Sequence, residues 1–300
     1  MDRSSKIMLR KIIIDFVCLF VVGMAVLLFH LFGNPYKRGF FCNDESLYHP
    51  FHPSTVTSAM LYVVGLFLPI CTMILCEFLH ARNCTGESSK LLFGYNILPW
   101  IWNAYKKIGI FGFGAATTVF ITDVGKYTIG RLRPHFMTLC VPNINCSLIQ
   151  NHHRYIEGYT CSASLSANLL KEIRLSFPSG HSSFSAYTMV YLALYLQVRM
   201  TWKGSKLLKH FLQLVCLFMA WYTALSRVSD YKHHWSDVLA GSTLGIVVAL
   251  VMAIYVANLF KDRRHCPTDE KHRAADYETG AGTQDEVTSL RMTTRSYDGI

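Results

Sequence analysis

Six apolar runs, each close to the length of a bilayer crossing, constrain this chain more than any other feature. They cover about residues 12–32, 56–79, 108–129, 183–198, 211–225 and 238–260. A helix needs roughly 20 mostly apolar residues to cross the hydrocarbon, and a crossing segment must satisfy its own backbone polar groups. The fourth and fifth runs are short enough for buried helices of a soluble protein, but they stand beside four full-length ones. With 51% hydrophobic and 16% charged residues over 300 positions, the expected fold is all-α: a polytopic membrane protein, a helical bundle of six transmembrane helices in one domain, 1–261. The first run begins too far from the N-terminus and is too long for a cleaved signal peptide, so it is expected to be retained.

Six crossings put both termini on one side. That side carries 19 of the 29 Lys and Arg and the opposite side 10. Basic residues favour cytoplasmic loops, so both termini are expected in the cytoplasm. The same bias accounts for the net charge of +10 without a nucleic-acid partner. Trp100 and Trp102 ahead of Lys106 and Lys107 suit an interfacial belt. From Lys261 onward the composition turns polar, and 262–300 is expected to be a disordered cytoplasmic tail, lacking the apolar surface that would offset its ordering entropy.

Cys18, Cys71, Cys76 and Cys216 fall in the apolar runs, where a thiol behaves as a small apolar side chain. Cys42, Cys140, Cys146 and Cys161 fall in exoplasmic loops, where disulfides are expected, most simply within 140–161, with the connectivity left open by sequence. Cys84 and Cys266 are expected in the cytoplasm, free or lipid-modified. Asn145-Cys146-Ser147 is an acceptor pattern for N-glycosylation on the exoplasmic side; Asn83-Cys84-Thr85 lies on the other side and is expected to be unused.

Three short motifs emerge on that same exoplasmic face. Lys126 ends the third run and Arg133-Pro134 follows it. Pro178-Ser179-Gly180-His181 opens the fourth run. Ser226-Arg227 ends the fifth, and His233 with Asp237 leads into the sixth. Lys126, Arg133 and Arg227 supply positive charge for a phosphate group, Arg as a bidentate fork and Lys as a compact charge. Ser179 and Gly180 stand at a helix start, where free backbone N–H groups attract anions. Asp237 follows His233 by four residues, so on a helix they share a face; the carboxylate can take one ring proton and leave the other nitrogen to attack phosphorus. His181 can then protonate the leaving alkoxide. His234, three residues from Asp237, is set aside, and Asp123 is expected to partner Lys126. Each piece alone has an ordinary structural use; together, on one face, they form a phosphate-transfer site. No carboxylate cluster offers itself for a metal, so no metal and no cofactor is expected.

The strings Lys126-x6-Arg133-Pro134, Pro178-Ser179-Gly180-His181 and Ser226-Arg227-x5-His233-x3-Asp237 resemble the three signatures of the type 2 phosphatidic acid phosphatase superfamily. Gly130-Arg131-Leu132-Arg133-Pro134-His135-Phe136 and Leu225-Ser226-Arg227-Val228-Ser229-Asp230 look like those of its animal lipid phosphate phosphatases. The resemblance covers about 10–260. It implies a helical bundle of the type 2 phosphatidic acid phosphatase / vanadium haloperoxidase kind. It implies a magnesium-independent site facing the outside or a lumen. The implied roles are His233 nucleophile, Asp237 its orienter, His181 acid, and Lys126, Arg133, Ser179, Gly180 and Arg227 around the phosphate.

The expected function is hydrolysis of phosphatidic acid, lysophosphatidic acid, sphingosine 1-phosphate and ceramide 1-phosphate through a phosphohistidine, at the plasma membrane. Relatives imply homo-oligomers. The competing readings are a catalytically silent lipid-phosphate-binding scaffold and a phosphatase of a soluble ester.

Overall fold

The computed structural model describes residues 3–83, 89–92, 94–164, 166–200 and 205–260; the expectations for Cys84, Cys266 and the segment 262–300 lie outside them. α1 (Arg3–Phe32) is followed by α2 (Ser58–Tyr62), which passes through a π-helical turn (Val63–Phe67) into α3 (Leu68–Asn83). α4 (Pro99–Ile129) comes next, then three short helices, α5 (Phe136–Cys140), α6 (Ile149–His152) and α7 (Ala167–Glu172). The described residues close with α8 (Gly180–Arg199), α9 (Lys206–Ser229) and α10 (Trp235–Val251), which runs on through a second π-helical turn (Met252–Val256). Two small antiparallel ribbons complete it: β1 (Phe40–Phe41) with β4 (Tyr155–Ile156), and β2 (Lys90–Leu92) with β3 (Tyr95–Ile97).

Local chemistry sets the helix ends. Pro99 occupies the first turn of α4, where a missing N–H costs nothing, and Gly130 stops the helix in a left-handed conformation (φ 58°). A side chain at 130 would also run into the Tyr36 backbone carbonyl. Ser179 caps α8, its hydroxyl facing the Ser182 N–H at 3.4 Å. α10 starts with a reciprocal cap between His234 and Asp237.

Among the described residues, five helical stretches are long and apolar enough to cross a membrane: Ser5–Phe32, Ser58–Arg82, Pro99–Ile129, Leu207–Ser229 and Trp235–Val256. The chain is an integral membrane protein with a helical bundle. The fourth expected crossing, 183–198, does form a helix, α8, but its composition sets it apart from those five. α8 is the hub, packed by α3, α4, α9 and α10. Most of its side chains are buried, including Ser182, Ser183, Ser185 and Thr188. A helix wrapped by protein needs no lipid-facing stripe, so it tolerates hydroxyls that a peripheral helix would not. Tyr187, Tyr191 and Tyr195 project from it into a core with Phe111, Met73 and Met252. At its far end Arg199 forks onto Glu77 of α3, both bonds 2.8 Å, with the Tyr195 hydroxyl on the same carboxylate at 2.9 Å. This buried pair sits near the helix ends, where α3 and α8 finish.

A second, smaller core lies at the other end of the bundle. It gathers Phe40, Leu47, Leu132, Phe136 and Ile173. Two disulfides tie its loops. Cys140–Cys161 falls within 140–161, where a disulfide was expected with its pairing open, and Cys42–Cys146 joins the first loop to the long one.

α10 approaches α8 through two glycines. A Cβ at Gly241 would strike the Ser179 backbone carbonyl, and one at Gly245 that of Ser183. Backbone cannot step aside cheaply, so larger residues must separate the helices. Gly245→Val is expected to cost about 1–3 kcal/mol, read as a lower thermal midpoint in detergent; an unchanged midpoint would show that the helices are free to part.

Candidate active site

The three motifs converge on one cavity of about 1650 Å³, whose wall includes Lys126, Arg133, Gly180, His181, Arg227 and His233. Each is delivered by a helix end or the turn beside one. Lys126 lies in the last turn of α4, with Asp123 3.7 Å away as anticipated. Gly180 opens α8 directly against it: a Cβ there would come within 2.9 Å of the Lys126 Nζ, so glycine makes room for the ammonium. Arg227, in the last turn of α9, is 1% exposed and held at 2.8 Å by Asp230. Asp230 is in turn fixed by the Thr55 N–H and hydroxyl, at 2.8 and 2.7 Å.

The two histidines present their rings differently. His181 is bonded on one side to the Val56 backbone carbonyl, and its Nε2 is buried with no partner. His233 gives Nδ1 to the Ser176 carbonyl at 2.7 Å, which leaves Nε2 for chemistry. Burial first, then the charges of Arg133 and Lys126, push its pKa well below the ordinary histidine value. The ring is therefore neutral near pH 7, the form that can act as a nucleophile.

Asp237 is placed differently from the expectation that it bonds His233 directly. Its Oδ2 stands 3.9 Å from His233 Nδ1, beyond hydrogen-bonding distance. Instead the carboxylate accepts from the Ser176 hydroxyl at 2.6 Å and from the His234 N–H and Nδ1 at 3.1 and 3.2 Å. Arg131 pairs with its other oxygen. The reason is the helix cap: at the third position of α10 the carboxylate must turn back to the His234 N–H. Ser176 thus sits between the two, its carbonyl on His233 and its hydroxyl on Asp237. His234, set aside on spacing, is a partner of Asp237. Ser179 lies behind the cavity wall, fully buried, with its N–H on the Asp237 backbone carbonyl at 3.0 Å.

Residues 107–261 match the family model described as "PAP2 superfamily". The chain belongs to this superfamily. Its PAP2 relatives include a Drosophila melanogaster protein named "Putative phosphatidate phosphatase", 51% identical over 273 residues, 87% of this chain and 72% of that one. Rattus norvegicus phospholipid phosphatase 1 is 38% identical, covering 97% of this chain and 98% of its own. Homo sapiens phospholipid phosphatase 2 is 38% identical over 87% and 88%. These place the chain within the lipid phosphate phosphatase family. No solved structure matches it.

Sequence reasoning missed four residues of this PAP2 site. Lys232 lines the cavity beside His233, its Nζ 3.7 Å from the centre of the Phe51 ring; burial, then Arg133, draw its pKa down to about 8. Its position next to a motif histidine was the available signal. His234 carried a signal, its three-residue spacing from Asp237, which fits a helix cap; Arg131 and Ser176 gave none, because their roles depend on which linker lies beside Asp237. Among the described residues, no three His, Cys, Asp or Glu side chains cluster to hold a metal.

His135 is the buried neighbour of this site. Its Nδ1 meets the Tyr231 carbonyl at 2.9 Å, yet burial, with Arg133 and Lys232, lowers its pKa to about 4. The folded state holds it neutral where the unfolded chain, with a pKa near 6.5, takes up a proton. Stability is therefore present above pH ~6.5 and falls as pH drops toward ~4, by up to roughly 3 kcal/mol. Thermal midpoints across this range should decline less steeply in His135→Gln; an identical slope would assign the loss to other groups.

Proposed function

We propose that this protein is a phosphohydrolase of membrane lipid phosphates that works through a phosphohistidine on His233. One observation carries the reading. The cavity is lined by cations together with His233 and His181, and also by apolar side chains, Val26, Leu27 and Leu31 from α1, Leu61 from α2 and Phe184 from α8. A ligand that fits both kinds of lining has a phosphate and a hydrocarbon tail. The relatives named phosphatidate phosphatase and phospholipid phosphatase support the same class.

In this reading Lys126, Arg133 and Arg227 neutralise the phosphate, with Lys232 a fourth cation. Positioning and electrostatic stabilisation supply most of the catalysis of phosphoryl transfer. Burial and the Arg227, Lys126 and Arg133 charges hold the His181 pKa to about 3 until the phosphate's negative charge offsets them and lets the ring take up a proton. His233 Nε2 attacks phosphorus, the P–O bond to the lipid breaks, and His181 gives that proton to the departing alkoxide. Water then attacks the phosphohistidine, His181 takes its proton, and inorganic phosphate and free His233 remain. Asp237 acts through Ser176 and the α10 cap, holding His233 in the tautomer that exposes Nε2. The charge neutralisation is done by side chains, so no magnesium is needed. The substrates are phosphatidic acid, lysophosphatidic acid, sphingosine 1-phosphate and ceramide 1-phosphate.

The asymmetry of Lys and Arg supports cytoplasmic termini and an exoplasmic site; the plasma membrane and a homo-oligomer rest on the family resemblance alone. Asn145 is exposed in the disulfide-tied loop, which supports its use as a glycan acceptor. Enzymatic deglycosylation should sharpen the electrophoretic band of the natural protein, and Asn145→Gln should abolish that shift. A shift that persists in the variant would move the glycan elsewhere.

The deciding test is phosphate release from phosphatidic acid in mixed micelles with chelator present. Release is expected in the intact protein, none above background in His233→Ala, and about 10²–10⁴-fold slower turnover in His181→Ala. No release from the intact protein on any of the four lipids would leave a silent binding protein.

A further inference from the structure

Arg133 already holds an anion in the site. Its Nη1 lies 2.9 Å from the Glu172 carboxylate, while its Nε, buried, has no partner. Both residues line the cavity. They differ in freedom: the Arg133 side chain is 10% exposed and that of Glu172 53%. The backbone beside them is fastened independently of the ion pair. The Arg133 N–H donates to the Ile173 carbonyl at 2.9 Å, and the Ser176 N–H to the Arg131 carbonyl at 3.0 Å. Ser166 caps the other end of α7. The carboxylate can therefore swing into solvent by side-chain rotation, while the guanidinium is confined to the cavity.

We infer that Glu172 is an internal competitor for the phosphate position on Arg133, which weakens phosphate binding and hastens release of the product. The inference rests on the phosphohydrolase reading above. Four cations around a desolvated phosphate bind it strongly, and the product, inorganic phosphate, is as well matched to them as the substrate. Equal tightening of substrate and product gives no faster chemistry; it leaves the site filled with product. A carboxylate that reclaims Arg133 divides the apparent affinity of every phosphate ligand by the fraction of sites it leaves open. When phosphate departs, the guanidinium exchanges one anion for another rather than being left bare in a buried site, where an unpaired charge is costly. Glu172 is suited to this because it brings a single negative charge, against the −1.5 to −2 of a phosphate monoester near pH 7. It yields to substrate and returns after it.

The test is competitive inhibition of phosphatidic acid hydrolysis by inorganic phosphate, comparing the intact protein with Glu172→Gln. The glutamine keeps the shape and removes the charge. The inhibition constant and the KM are both expected to fall, roughly tenfold if the carboxylate holds Arg133 about nine-tenths of the time, with kcat unchanged or lower. A residue that merely props Arg133 in place would give the opposite sign, so an inhibition constant that stays or rises overturns the inference. Glu172→Asp, with shorter reach, should move the same way by less. Failure of both variants to fold would also overturn it, since the backbone bonds are held to carry that segment. No hydrolysis of phosphatidic acid by the intact protein would instead sink the phosphohydrolase reading itself.

Discussion

A carboxylate with no access to water holds the active end of this molecule together. Asp237 is wholly buried, and such a charge is tolerated only when its oxygens are paired and hydrogen-bonded. Its partners come from three separate segments: Arg131 after α4, Ser176 before α8 and His234 at the start of α10. Its own carbonyl takes the N–H of Ser179, the cap of α8. One residue thereby sets the relative position of the turns that bring Arg133, His181 and His233 to the cavity. Removing the carboxylate would orphan an arginine, a serine and a helix cap together, so its effect on catalysis and on folding cannot be separated by a single substitution.

The same end of the bundle depends on close backbone approach. Gly241 and Gly245 let α10 press on the first turns of α8, and Gly180 leaves space for Lys126. Helix ends, rather than mid-helix positions, carry the cations and histidines that line the cavity. Cations sit there without being sunk in hydrocarbon, where charge is expensive.

Much of this was legible in the chain. Lys126, Arg133, Gly180, His181, Arg227 and His233 were found because each sits in a short motif next to an apolar run, so its height in the bundle follows from the run. What stayed hidden was the wiring. The His233–Asp237 spacing suggested a direct bond, but the capping geometry at His234 claims that carboxylate and Ser176 takes the His233 ring proton. The cap is local, three residues apart, but the Ser176 contact is not, because Ser176 is 57 residues from His233. Ser179 was expected at the phosphate; it caps the start of α8 and is not among the residues that line the cavity. The cavity residue Lys232 was overlooked because a lysine at a membrane edge has so many ordinary uses.

The protein-wrapped character of α8 reaches beyond the finished fold. Recognition of a nascent segment as membrane-spanning depends on its own apolarity, and α8 trades much of that for serines, threonines and tyrosines that are buried by its neighbours. α4 is already made when α8 leaves the ribosome, but α9 and α10 are not. The helix at the centre of the site is thus the one least able to enter a bilayer alone, and its order of assembly is tied to helices synthesised after it.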